Sequence, residues 1–340
     1  MTGWVRRARL VGALLLTMAG SCNASKSCNA SKKPSAQAGH EFETSRARVV
    51  ARSNWDIESL TLRGATAYWI SGVHIFGASL ASAGEPRTFE GVLDPHELEV
   101  DDRYLYTLTM DGLVGFPVEG GPPHWFFRDP KHYYYLGLAG VDDALFFGSD
   151  SAAIPVLWRV DRRTGEVLLT HMTLFAAGDG GTSAFRNPAS KLLADRTALY
   201  ARTHQGILEI PLDETKGTKL LSRANIDLAQ TRNHLAVLSS SDGQPDAGGD
   251  ASVEIIRKSD GSRVAVLDDA KAAFTTFGEI VYFAVPNRNV IASVDLEHST
   301  RGETPVDGHV EAIRVGEWGM LWVRASGGAH DIVAVPRAGR

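Results

Sequence analysis

Few residues in this chain combine the type and spacing that chemistry requires. His96 and Glu97 are adjacent and could form an acid/base pair. Neighbouring residues of a strand point to opposite faces, so the two would rarely serve one site. The eleven histidines show no His-x-His or His-Glu-x-x-His spacing, and no zinc centre is assigned. Asp242, Asp246 and Asp250 sit in a Gly-rich stretch and could offer oxygen ligands to calcium. Their spacing is not Asp-x-Asp-x-Asp-Gly, and a solvated loop is the simpler reading. Gly178-Asp-Gly-Gly181 lacks the lysine and following Ser/Thr of a phosphate loop. No Gly-x-Ser-x-Gly elbow is present, and no cysteine follows Cys28. No catalytic residue, metal or cofactor is therefore assigned.

Residues suited to binding are more numerous. His124-Trp-Phe-Phe-Arg-Asp-Pro-Lys-His-Tyr-Tyr-Tyr135 is the densest aromatic stretch of the chain. Rings with polar tips, such as Tyr133, Tyr134 and Tyr135, suit sugar stacking or protein contact. The plainer alternative places Trp125 and Phe127 on one face of an outer strand and some of the tyrosines in a core.

The elements that position these residues are legible as a repeat. Leu98-Glu-Val-Asp-Asp-Arg-Tyr-Leu-Tyr106 is an apolar strand, an acidic turn and an apolar pair ending in an aromatic. Leu192 to Tyr200 and Leu138 to Phe146 repeat it, and weaker copies end at Tyr68, Ala236, Tyr282 and Trp322. The spacing averages about 42 residues, the length of one four-stranded propeller blade. Eight residues before the end of each unit lie Leu60, Leu98, Leu138, Leu192, Leu228 and Phe274, with Ile313 one place out of register in the seventh. These should mark the inner strands. Thr164-Gly165 and Asp260-Gly261 are hairpin signals further along their units. The period-2 alternation argues against a helix-rich fold. The seventh unit ends before a fourth strand, while a spare strand over about 47–52 precedes the first. The expectation is an all-β, seven-bladed β-propeller over 46–340, its ring closed by that N-terminal strand in the last blade.

Blade geometry then sorts residues by face. Connections between blades share one end of the ring with the turns between second and third strands. The insertions at 150–155, 175–187 and 239–251 fall there, and long loops on a rigid scaffold often carry binding. Trp55, His96, Glu97, Tyr133, Tyr134, Tyr135, Arg186 and His309 are expected on this face. Glu97, Lys191 and Asp227 each precede a recurring apolar position, which places them toward the channel.

Residues 1–21 read as an export signal. Arg6, Arg7 and Arg9 precede an apolar run, Leu10 to Met18, that is too short to span a bilayer. Small residues then lead into Cys22, a pattern that resembles the lipobox of bacterial lipoproteins, although Ala19 stands where that family prefers leucine. The resemblance implies lipidation at Cys22. Residues 22–45, which contain the tandem Ser-Cys-Asn-Ala-Ser-Lys repeat, read as a disordered tether. Asn23 after the cysteine, in place of aspartate, leans toward the outer membrane. Loss of the three arginines takes the net charge from -5 to -8. No basic face is visible, so nucleic acid is not an expected partner.

The blades resemble the quinoprotein-like (PQQ-like) repeat class, on the Leu-Tyr pairs after acidic turns and on Asp161-Arg-Arg-Thr-Gly165. The tryptophan docking pattern of true quinoprotein dehydrogenases is absent. The Trp-Asp pair of the WD40 class occurs once, at Trp55-Asp56, and does not recur. Together these readings imply an exported, lipid-anchored envelope protein that binds or scaffolds an envelope protein or glycan. The alternative is a propeller lyase or hydrolase with its site at the channel mouth. An apolar rim patch would favour the first, and convergent polar groups around the channel the second.

Overall fold

A computed structural model describes residues 41–128, 134–151, 154–170, 191–203, 206–213, 216–222, 226–240, 251–270 and 273–339. Seven four-stranded antiparallel sheets follow one another along these residues. Their inner strands are Ile57–Arg63, Leu98–Val100, Tyr134–Val141, Leu192–Ala194, Asp227–Gln230, Phe274–Phe277 and Val310–Val315. The recurring apolar position lies on each, and all seven of its residues are buried. The chain is the all-β, seven-bladed β-propeller its repeats predict.

The seventh blade is completed as expected. Its sheet orders Val310–Val315, Gly319–Ser326, Ala329–Pro336 and then Arg48–Ser53. The closing strand pairs Arg48 with Ala334 and Ser53 with His330. It lies one residue later than the 47–52 read from sequence. Its pairing covers an edge that an open array would expose.

The tether read over 22–45 ends earlier than expected. Glu41 to Thr44 already belong to the domain. Phe42 is only 2% exposed, packs in the core of blades 6 and 7, and bridges to Arg337. One large ring in a polar stretch draws that stretch into the domain, because burying it offsets the ordering of its neighbours. The export signal, Cys22 and the rest of the tether lie outside the described residues.

A second departure concerns alternation. The second strands Thr66–Ser71, Tyr104–Thr109 and Ala198–Thr203 are buried almost throughout. A blade's middle strands are covered on both sides by neighbouring blades, so both faces must be apolar. Alternation survives where solvent reaches, as on the outer strand Arg301–Pro305.

The aromatic that ends the repeat has a structural role. Tyr106 donates its hydroxyl to Asp101 at 2.8 Å, and Arg162 of the next blade pairs with the same carboxylate at 3.2 Å. Lys258 of blade 5 donates to Asp195 of blade 4 at 2.8 Å and sits 4.8 Å from the Tyr200 ring. Tyr282 of blade 6 donates to Glu41 at 2.7 Å, and Arg337 of blade 7 pairs with Glu41. A tyrosine, an acid and a base from the following blade thus clamp blades 2, 4 and 6 to blades 3, 5 and 7. All three clamps lie at the end opposite the connections between blades.

Candidate functional site

The end that carries the connections between blades holds two features, one on the axis and one on the rim. The axial feature begins with Lys191, just ahead of the inner strand of blade 4. Its carbonyl accepts the Arg202 amide at 2.8 Å, which sets the two side chains opposite each other on adjacent strands. Lys191 Nζ then reaches into blade 5 and pairs with Asp227 Oδ1 at 2.9 Å. Arg202 Nη1 donates to the carbonyl of Ile226, also in blade 5. From blade 7, Arg314 donates through Nε to Leu60 O at 2.7 Å and through Nη1 to Ile313 O at 2.8 Å. Glu97 of blade 2 accepts the Leu138 amide and lies in the field of Lys191, Asp227 and Arg202.

These groups come from blades 2, 4, 5 and 7. Arg202 and Arg314 stand on opposite sides of the ring, yet both feel Asp227 and Glu97. Side chains of non-adjacent blades can converge in this way only at the axis. Burial raises the Glu97 pKa, with Lys191 opposing it and Asp227 reinforcing it. Burial pulls both guanidinium pKa values down, with Asp227 and Glu97 opposing it. Two residues further along the strand from Glu97, burial pushes Glu99 up to about 7 against the pull of Arg162, 3.7 Å away.

The rim feature is apolar. Trp55 is 70% exposed in the connection from blade 7 to blade 1. It lies against the Gly72–Val73 turn of blade 1, where a Cβ on Gly72 would stand 3.7 Å from its ring. Val73 is 57% exposed, Leu93 in the connection from blade 1 to blade 2 is 84% exposed, and Met110 in the next turn is 38% exposed. The other exposed large apolar residues among those described, Val49, Leu168, Leu220, Val264 and Val266, lie on outer strands.

Of the residues singled out from sequence, Glu97, Lys191 and Asp227 are brought together, and Trp55 joins the rim. His96 lies nearby, its amide donating to Leu108 O at 2.9 Å and its Nε2 4.0 Å from Asp94. His309 is exposed in the connection into blade 7. Tyr135 is removed from the binding face. It is 1% exposed and packs edge-on against Phe127 and Phe147, so the core alternative holds for it. Tyr134 begins an inner strand. Tyr133, Arg186, Asp242, Asp246 and Asp250 lie outside the described residues. Among the described residues no group of three His, Cys, Asp or Glu side chains could hold a metal.

Sequence reasoning missed Arg202, Arg314, Val73, Leu93 and Met110. Both arginines interrupt apolar strands, Ala198–Thr203 and Val310–Val315, and that interruption was the available signal. The opposite end carries an inter-blade cleft of about 710 Å³ lined by Asp195, Tyr200, His234 and Lys258. Its lysine is already committed to Asp195.

Fold and site together define a seven-bladed β-propeller with a charged axis and an apolar rim at one end. No protein-family model matches the sequence, and neither does any curated protein. The chain is similar to several solved propellers. It shares 11% identity and a TM-score of 0.63 with the Pan2 WD40 domain of Neurospora crassa, over 87% of this chain and 97% of that one. With a catalytically inactive virginiamycin B lyase of Staphylococcus aureus, solved with quinupristin, the values are 11%, 0.58, 86% and 98%. With BamB of Moraxella catarrhalis they are 13%, 0.52, 82% and 84%. Likeness at these identities establishes the fold alone.

Proposed function

We propose that this chain is an exported lipoprotein, anchored through Cys22, whose propeller binds a protein of the cell envelope. The observation that carries the reading is the apolar rim formed by Trp55, Val73, Leu93 and Met110. Its members sit on successive connections and turns of blades 1 and 2, on one face of a rigid ring. Exposed apolar surface gathered in this way is what an interface core requires, with large anchors such as Trp55 contributing most. We place the blades in the PQQ-like class on the Leu-Tyr pairs after acidic turns and on Asp161 to Gly165. Anchoring in the outer membrane is the favoured location, with a glycan as the other candidate partner.

Two measurements test this. Labelled palmitate should enter the wild type and not Cys22→Ala. Native chain cross-linked in the envelope and then purified should retain a stoichiometric protein partner. Trp55→Ala/Leu93→Ser should lose that partner with an unchanged melting temperature. Recovery of the wild-type chain alone, or an undiminished partner in the variant, would overturn the rim as an interface. A second reading, a lyase or hydrolase at the channel mouth, is favoured by the convergence of Glu97, Lys191 and Asp227 there.

A further inference from the structure

Among the described residues, the axial cluster holds more positive than negative charge. Lys191, Arg202 and Arg314 face Glu97 and Asp227, an excess of one cation even with both acids ionised. The acids do not neutralise the arginines by contact. Among the described residues, no carboxylate lies within 4.0 Å of either guanidinium. Asp227 instead spends Oδ1 on Lys191 and on the amide of Leu228. The arginines are held in place by carbonyls, Ile226 for one and Leu60 and Ile313 for the other. That arrangement fixes the planar groups while leaving charge available.

Arg202 is the decisive residue. Its side chain is buried, and its Nη2 has no hydrogen-bond partner among the described residues. A buried, unpaired guanidinium N–H is costly, and such groups are normally satisfied. Here the donor belongs to a group whose field reaches Asp227 and Glu97 across the axis. Arg314 faces the same two acids from the other side of the ring, its Nη2 also uncommitted among the described residues. An oxyanion on the axis could accept from Arg202 and draw on the fields of Arg314 and Lys191. Arginine forks match the oxygens of carboxylate and phosphate in two-point contact.

We infer that the axial mouth between Arg202 and Arg314 is a binding site for a small oxyanion, a ligand bearing a carboxylate or phosphate group. The site is separate from the apolar rim, and its standing does not depend on what the rim binds. Glu97 limits its affinity, since an ionised carboxylate there repels the ligand. Protonation of Glu97 leaves the cluster more cationic, so binding tightens toward acid pH.

The test uses the full chain in calorimetric titration and thermal melts with inorganic phosphate, succinate, and sodium chloride at matched ionic strength. Saturable binding of phosphate or succinate, with a melting temperature above that in chloride, is expected. Phosphate alone binding would assign a phosphate group, and succinate alone a carboxylate. Arg202→Gln should weaken the effective anion roughly tenfold or more, the loss of one or two charge-assisted hydrogen bonds. Lys191→Gln should weaken it less, and Glu97→Gln should strengthen it and flatten its pH dependence. If Arg202→Gln does not fold, Lys191→Gln and Glu97→Gln still move affinity in opposite directions. No anion binding beyond chloride, or equal affinity in wild type, Lys191→Gln and Glu97→Gln, would overturn the inference.

Discussion

At the residue scale, charged side chains clamp neighbouring blades at one end of the ring and gather on the axis at the other. Asp195 shows the structural use. Burial alone would raise its pKa, but hydrogen bonds from Lys258 and Thr197 outweigh that and hold it at about 2. A carboxylate depressed in the folded state stabilises the fold above its unfolded pKa, near 3.8, and this contribution fades as pH falls through about 2. Lys258→Met should therefore cost about 1–3 kcal/mol at pH 7, because it leaves a part-buried carboxylate without its cation. The gap from wild type should shrink when urea unfolding is repeated at pH 3. A gap that stays constant between pH 7 and pH 3 would mean that Lys258 acts by packing alone. The repeat's aromatic residues were plain in the sequence, but their acid and base partners were not. Tyr282 finds Glu41, 241 residues away, and no local pattern encodes that pairing.

At the element scale, the closing strand decides whether the ring exists. Arg48–Ser53 supplies the fourth strand of blade 7, and Phe42 seals the seam below it. A chain beginning at residue 41 should melt like one that keeps the preceding segment. One beginning at residue 54 should melt lower and self-associate, because the edge of Ala329–Pro336 is then open to other chains. Phe42→Ala should cost about 3–5 kcal/mol, as expected for a large ring deleted from a packed core. Equal melting of the two truncations in a differential scan would show that closure adds nothing. The closing strand was legible because a strand was missing at one end of the sequence and spare at the other. The seventh unit looked out of register because its end was read at Trp322: Ile313 pairs with Trp322 just as Leu60 pairs with Trp69 and Leu98 with Thr107, so Leu321 is the residue that matches Tyr68 and Tyr106.

At the scale of the whole molecule, closure makes every blade depend on two neighbours. An open solenoid can unfold from its ends, whereas a closed ring offers no end from which to begin. We expect one cooperative thermal transition for the mature chain. The body after Cys28 contains no cysteine, so reducing agent should leave the midpoint unchanged. Two resolved transitions in calorimetry would show that groups of blades unfold separately. The rim and the axis share one end of this ring, so a partner seated on Trp55 and Leu93 would lie near the channel mouth.

The number of blades, their inner strands and the way the ring closes are all readable before folding is considered. Each of those is written in short-range periodicity, in turn chemistry and in the count of strands. The sequence also placed Glu97, Lys191 and Asp227 one step before the recurring apolar position and therefore toward the channel. Folding alone brings Arg202 and Arg314 to join them, makes Tyr135 core while Trp55 is surface, and draws Glu41 and Phe42 into the domain. The reason is distance along the chain. Blades 2, 4, 5 and 7 meet only at the axis, and whether a ring is buried depends on what a neighbouring blade lays over it.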